Sequence, residues 1–242
     1  MTNMKRFLFC SDLHGDQACE KSVKAVMAAT KDFKPHLKIF GGDLMDARPL
    51  RRGASREERA EGMQHDWRAG IKFLHEWQPT HALMGNHDKR IYDLAEASNG
   101  IETEYAFKGT QELERAYAEV NCLWKPYHKR SVWKFGDLSF LHGFYHGVNA
   151  CRQHANVYGN CIFGHIHAAD QYTAPYIKRR TSMSAGCLCD LDMKWSAHMP
   201  GTLRHNHGFI MGMINEKTGA WTAWQVEEVD GKWHIPTKIK TI

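Results

Sequence analysis

No stretch of the chain is long and apolar enough to span a bilayer, which takes about twenty consecutive apolar residues, so no membrane helix is expected. A secretory leader is not expected either. The start MTNMKRFLFCSD carries a basic pair, but the apolar run behind it is very short, ends in Ser11-Asp12, and reads as a first strand. The seven cysteines are odd in number and irregularly placed, with no Cys-x-x-Cys. That argues against a secreted disulfide framework and makes a reducing cytoplasm the expected location. The close pair Cys187 and Cys189, in AGCLCD, fits two half-buried strand cysteines better than a thiolate metal site. No internal repeat, low-complexity tract or linker divides the chain, so residues 1–242 are expected to form a single domain.

At 43% hydrophobic residues the chain can bury a sizeable core. Its net charge of +5 is mildly basic, which fits a phosphate-bearing substrate without requiring one. The unusual count is 16 histidines. Histidine is the commonest metal ligand and the acid or base that works near neutral pH. So many of them also raise the chance of accidental motifs, and spacing has to decide.

Five short apolar runs of strand length end in small or polar clusters: Arg6 to Cys10, Leu37 to Phe40, His81 to Met84, Leu138 to Leu141 and Cys161 to Phe163. Helix-like segments lie between the first of them. Gln17 to Thr30 carries Val23, Val26 and Met27 on one face, and Arg56 to Trp77 places Met63, Trp67, Ile71 and Leu74 at three- and four-residue steps. Ile91 to Ala97 and Thr110 to Val120 read as two more helices. Alternating strand and helix predicts an α/β fold with parallel strands at the start. VWKFGDLSFLHG reads as a hairpin turning at Gly136-Asp137, and the segment from His207 to Ile235 as strands joined by Gly-containing turns. The expected architecture is two packed mixed β-sheets flanked by helices.

Each of the five runs ends in His, Asp or Asn: Asp12, His14, Asp43, Asn86, His87, Asp88, His142, His165 and His167. Functional side chains gather where α/β strands end. An extended chain would put Asp12 and His14 on one side, and His165 and His167 likewise. Gly42, Gly85 and Gly164 would permit a sharp exit from each strand. Carboxylate, imidazole and amide donors without thiolate suit Mn2+, Fe2+, Zn2+ or Ni2+, with Mn2+ first. The donors are too many for one zinc and suit two divalent ions sharing a carboxylate.

The ordered blocks DLH (Asp12 to His14), GDLMD (Gly42 to Asp46), GNHD (Gly85 to Asp88), LHG (Leu141 to Gly143) and GHIH (Gly164 to His167) resemble the calcineurin-like metallophosphoesterase superfamily over about residues 5 to 170. The late segment GCLCDL followed by HGF, with the size and basicity, more loosely resembles small phage and prophage members. The resemblance implies a four-layer α/β/β/α sandwich and a dinuclear phosphoesterase. Asp12, His14 and His167 would hold one ion, Asn86, His142 and His165 the other, and Asp43 would bridge them. It implies attack on phosphorus by a hydroxide shared between the ions, with His87 as general acid, Asp88 orienting its ring and Asp46 supporting from behind. The substrate would be a phosphate ester, with phosphodiesters of nucleotides or nucleic acid ahead of phosphomonoesters or phosphoproteins. A catalytically silent binding scaffold is the contrasting possibility, and the filled ligand positions count against it.

Arg48, Arg51, Arg52, Arg56 and Arg59 follow Asp43, partly neutralised by Glu57, Glu58 and Glu61. A solvated helix face would explain them. Arg48, Arg51 and Arg52, with Lys89 and Arg90, are the expected substrate rim. His146 is either a substrate contact or a packed loop residue. His205 and His207 fit a rim or structural role better than a third metal. Asp190 and Asp192 are expected to cap or face solvent, Lys178 to Arg180 to form a solvated edge, and Trp195, Trp221, Trp224 and Trp233 to pack in the core. The sequence leaves open whether residues 88–120 form a lid.

Overall fold

The computed structural model describes residues 4–97, 100–175, 177–178, 180–193 and 198–236. Trp195 and Arg179 lie outside them. The chain begins with β1 (Met4–Cys10), α1 (Glu20–Phe33), β2 (Leu37–Phe40), α2 (Arg56–Ala60), α3 (Gln64–Trp77) and β3 (His81–Leu83), then α4 (Lys89–Ala95), α5 (Ile101–Glu119) and β4 (Leu123–Lys125). There follow β5 (Trp133–Phe135), β6 (Leu138–Leu141), α6 (Ala150–Tyr158), β7 (Cys161–Phe163), β8 (Ala169–Ala174) and β9 (Arg180–Ala185). Last come β10 (Gly208–Asn215), β11 (Trp221–Val229) and β12 (Lys232–Trp233).

Two mixed sheets result. The larger has the order β12-β11-β10-β1-β2-β3-β4, and the smaller β5-β6-β7-β9-β8. β1 to β4 run parallel, as alternating strand and helix requires, while β10 returns antiparallel along β1 with Phe7 opposite Gly212. β5 and β6 pair with Phe135 opposite Leu138, leaving Gly136-Asp137 as the expected two-residue turn.

The side-chain period of two puts alternate residues of β1 into different layers. Phe7 and Phe9 join Ile39, Phe140, Ile162 and Ile210 between the sheets, and the Phe7 and Phe140 rings meet edge to face at 5.1 Å. Leu8 and Cys10 face the other way, toward Val26 and Phe33 of α1, Phe73 and Trp77 of α3, and Leu113 and Tyr117 of α5. On the outer face of the smaller sheet α6 packs Ala150 and Cys151 against Phe163. The layers are thus helices, large sheet, small sheet, helix.

Several boundaries differ from the sequence reading. The segment Arg56 to Trp77 is two helices, because Glu61 to Met63 leave the helical path after a capping box of Ser55 and Glu58. The helix expected from Thr110 already begins at Ile101. α4 and α5 pack into the core: Ile91, Ala106, Leu113 and Tyr117 are buried. Trp221, Trp224 and Trp233 pack against the core as expected, and Asp190 and Asp192 are exposed. Cys187 and Cys189 depart from the reading. They lie beyond the end of β9, fully buried, each held by a single bridge, Cys187 with His207 and Cys189 with Ala18.

Candidate metal centre and active site

The loops that leave β1, β2, β3, β6 and β7 meet at one end of the two sheets. Their backbones are laced together: the amides of Leu13 and His14 donate to the Asp43 carbonyl, that of Asp12 to Gly42, and that of Gly164 to His142. Asp12, His14, Asp43, His165 and His167 all have φ between 53° and 69°. These left-handed bends, unusual for non-glycine residues, persist where surroundings enforce them and cluster at functional sites. They also correct the expectation that extended chain aligns Asp12 with His14 and His165 with His167. The pairs converge because the backbone reverses hand at each member.

Of the three glycines, only Gly42 has positive φ, at 104°. Gly85 and Gly164 serve by lacking a Cβ. One at Gly85 would lie 2.0 Å from Asp43 Oδ1, and one at Gly164 2.4 Å from Asp12 Oδ2.

Asp43 sits in the middle of the donors. Its Oδ2 is 3.4 Å from His142 Nε2, 3.8 Å from His14 Nε2 and 4.0 Å from His87 Nε2. On one side, His14 Nε2 and His167 Nε2 are 3.1 Å apart, with Asp12 Oδ1 3.4 Å from His167 Nε2. On the other, His142 Nε2 is 3.1 Å from Asn86 Oδ1, and Asp43, His142 and His165 offer donor atoms to a common point. Asp12, His14, Asp43, His142 and His167 are buried.

The opposite nitrogens are fixed from behind, which aims the inner ones. His14 Nδ1 donates to Asp46 Oδ1 at 2.9 Å, and His142 Nδ1 to the Gly41 carbonyl at 2.9 Å. His167 Nδ1 faces Cys189 Sγ at 3.7 Å. The Asp12 carboxylate accepts from the His165 amide. Burial pushes the Asp12 carboxyl up, but His167 outweighs it and holds it at about 2. Burial pushes the His142 imidazole down, but Asp43 raises it to about 9. Burial, with His142 adding to it, lowers His165 to about 3.

This donor set fits divalent cations. Ligands held at about 2.0–2.1 Å from one ion stand roughly 3.0–3.4 Å apart, which matches the contacts of His14 with His167, His167 with Asp12, and His142 with Asn86 and Asp43, while Asp43 to His14 is wider at 3.8 Å. Two buried imidazole nitrogens 3.1 Å apart need a shared proton or a shared cation.

His87 faces the site from the side, its ring edge-to-face with His14 at 4.5 Å between centroids. Its Nδ1 donates to Asp46, 2.9 Å from both the carbonyl and Oδ1, so Nε2 points inward. Burial lowers its pKa, against the pull of Asp43. Asp46, not Asp88, therefore orients the His87 ring. The Asp88 carboxylate accepts instead from the Met45 and Gly85 amides at 2.9 Å, latching the loop after β3 to the loop after β2. Burial and then Asp43 raise Asp88 to about 7. The reason is geometric: Asp88 follows His87 in a turn that directs successive side chains apart.

The expected basic rim divides as well. Arg48 is held by Asp16 at 2.7 Å, Glu61 at 2.9 Å and Asp46 at 3.3 Å, so it braces the β2 loop and is no open rim residue. Lys89 pairs with Asp93 one helical turn on. Arg51 pairs with Glu58. Arg52 is exposed, and Arg90 lies beside His87 with Nη1 donating to the Asp46 carbonyl at 2.8 Å. His146 is exposed and lines a cavity of about 510 Å³ together with Asp43, Asn86, His87, His165 and His167.

His205 lines the same cavity, its ring 5.1 Å from His167, whereas His207 is structural, bonded to Glu228 and the Cys189 carbonyl. The sequence reading passed over Asp66. Buried on α3, it accepts from the amides of Asp46 at 2.9 Å and Ala47 at 2.7 Å and so holds the β2 loop. An aspartate between Met63 and Gly70 on the apolar face of α3 was the available signal.

A family profile described as calcineurin-like phosphoesterase matches residues 5–169, a span that contains all nine strand-end residues. No curated protein matches the chain. Among solved structures, an archaeal phosphodiesterase is 12% identical, with 91% of this chain and 99% of that one covered and a TM-score of 0.45. Vacuolar protein sorting 29 from Cryptosporidium parvum is 13% identical over 96% and 95% of the two chains, with a TM-score of 0.49. The phosphoesterase Yfce from E. coli is 11% identical over 91% and 98%, with a TM-score of 0.39.

Proposed function

The chain belongs to the calcineurin-like phosphoesterase family and is a metal-dependent phosphoesterase, and from that premise we propose that it is a dinuclear phosphodiesterase acting on nucleotides or nucleic acid. The observation that carries this reading is the convergence of six donor residues around one carboxylate, Asp43. Asp12, His14 and His167 lie on one side of Asp43, and Asn86, His142 and His165 on the other. Two divalent ions, Mn2+ first among them, suit these oxygen and nitrogen donors. When bound, such ions supply an acidified water for attack and polarise the phosphoryl oxygens.

The chain's own residues do the rest. Asp43 places its carboxylate between the two donor sets. Asp46 holds His14 toward one set and His87 toward the cavity, and Asp66 and Asp88 hold the loops that carry them. His87 Nε2 faces the cavity and, with the ring in its protonated form, is the donor that protonates, or hydrogen-bonds to, the departing oxygen. A diester's poorer leaving group gains more from that proton than an easily expelled one. The filled donor positions speak against a silent scaffold. The two sheets share one core across residues 7 to 214, which supports reading the chain as one phosphoesterase domain. All seven cysteines are free, in keeping with a cytoplasmic setting. Among the described residues, no helix is long and apolar enough to cross a membrane.

The test is hydrolysis of bis-p-nitrophenyl phosphate and p-nitrophenyl phosphate with added Mn2+. Turnover of the diester ahead of the monoester is expected. Faster monoester hydrolysis would move the assignment to a phosphatase, and no turnover of either to the scaffold.

A further inference from the structure

The cleft has a second half. On the other side of the His87 ring a cavity of about 530 Å³ opens between Arg51, Arg52, Arg90 and Asp93. His87 and Met199 line both halves, so the two adjoin at the proposed proton donor. Their chemistry differs. Away from the donor residues, the first half is walled mainly by Val148, Ile166, Met199, Gly147 and Gly201, a surface for an apolar or planar group, and its one guanidinium, Arg204, is engaged with the Gly147 carbonyl at 3.1 Å. The second presents three guanidinium groups and one carboxylate. That carboxylate, Asp93, is paired with Lys89, and Arg51 is paired with Glu58. Arg52 and Arg90 line the cavity, and among the described residues neither makes an ion pair with a carboxylate; Arg90 donates to the Asp46 carbonyl instead.

Resting on the diesterase reading, we propose that this basic half takes a second phosphate of the substrate. The substrate class is then a nucleic-acid end or short oligonucleotide. One arm of the scissile diester carries a ring for the Val148–Met199 wall, and the other carries the next phosphate to Arg52 and Arg90. Planar guanidinium groups match phosphate oxygens in pairs and do so best where water is partly excluded. The hydrolytic step itself is ordinary. Water adds to phosphorus, the bond to one ester oxygen breaks, and that oxygen leaves with a proton. A cyclic mononucleotide or an aryl diester would be cut with the basic half unused.

The experiment compares four diesters with Mn2+-loaded protein: bis-p-nitrophenyl phosphate, thymidylyl-thymidine, and that dinucleotide carrying an added 5′- or 3′-phosphate. One of the two phosphorylated dinucleotides is expected to exceed the plain dinucleotide in kcat/KM by about tenfold or more, chiefly through KM, with the gain shrinking as salt is raised. Arg52→Gln and Arg90→Gln are each expected to remove most of that gain. Lys178→Gln, in a different part of the molecule, should leave it. Arg52 is exposed, so its variant should fold even where Arg90→Gln does not. Equal kcat/KM for all three dinucleotides, or a gain that survives both arginine variants, overturns the proposal. Because bis-p-nitrophenyl phosphate carries no second phosphate, its turnover without the gain sinks this inference alone. No turnover of any diester sinks the diesterase reading and this inference with it.

Discussion

Asp46 is the carboxylate on which two imidazoles depend. Its Oδ1 accepts from both His14 and His87, and these hydrogen bonds hold its pKa well below the usual carboxylate range despite burial. Removing it leaves the buried His14 Nδ1 without a partner and His87 Nδ1 with only the residue 46 backbone carbonyl, so both rings are held less firmly. Asp46→Ala should therefore lower diesterase kcat by about a hundredfold with a smaller change in KM, the scale expected for a partner that orients a ligand. Asp88→Asn should cut activity less and lower Tm more, because Asp88 joins two loops by backbone hydrogen bonds and touches no ring. If Asp88→Asn proved the more damaging to kcat at unchanged Tm, the orienting role would belong to Asp88 after all. His87→Ala separates ligation from proton donation. His87 Nε2 is near enough to His14 and Asp43 to join their donor set, yet as the proton donor its loss should cost about 10²- to 10⁴-fold in diester turnover while metal analysis still finds both ions. Loss of one ion would make it a ligand. At this scale the sequence was informative wherever a polar residue directly ended an apolar run. It was silent on Asp66 and on the proper use of Asp88, because hydrogen bonds to the backbone of distant loops leave no local pattern.

Among the elements, α6 matters for a reason its composition hides. His154 stacks on Phe163 at 3.9 Å and is fully buried. Its Nδ1 donates to the Ala150 carbonyl, and its Nε2 accepts from the Phe144 amide at 3.0 Å, so the ring is neutral and pins the loop that follows His142. Burial lowers its pKa from 6.5 to about 4, opposed by the Ala150 carbonyl and helped by His142. As pH falls, the unfolded chain takes up this proton first. The stability His154 supplies is therefore complete above about pH 6.5 and is lost progressively down to about pH 4. A shift of that size corresponds to roughly 3 kcal/mol. Urea unfolding in chelator at about pH 7.5 and 4.5 should show the wild type losing more stability than His154→Gln by that order, and equal losses would remove His154 as the cause. α6 escaped the sequence reading because ACRQHANVY is short and carries few strongly apolar residues; its buried face is alanine, cysteine and this histidine. β1, β2, β6 and β7 were legible because they are mostly buried on both faces and read as short, largely apolar runs, broken only by Lys38 in β2 and Ser139 in β6 and preceded by Lys5-Arg6 in β1. β4 and β8 sit at sheet edges, short or half-exposed, and carry no such run.

The whole molecule places its candidate ligands on both sides of the seam between the sheets. Asp12, His14, Asp43 and Asn86 follow strands of the larger sheet, while His142, His165 and His167 follow strands of the smaller one. This division could be anticipated from the five strand ends. The return of β10 alongside β1 could not, because the pairing spans some two hundred residues and rests on packing, not on a local signal. Cations held between donors from both sheets would cross-link them, and any ligand that binds the folded state alone stabilises it by mass action. At free Mn2+ about a hundredfold above Kd, each ion would add about 2.7 kcal/mol. For a chain of this length that is roughly 5–10 °C in Tm per ion. Thermal unfolding in excess Mn2+ should therefore stand well above that in chelator. His142→Ala, which removes a donor of the Asn86 side, should keep about half of the increment, with bound metal falling from two ions toward one. A Tm indifferent to chelator at saturating Mn2+ would mean that the seven donors do not close around cations in solution. The same loss from His142→Ala in chelator as in Mn2+ would mean that its contribution is packing and the Gly41 hydrogen bond alone.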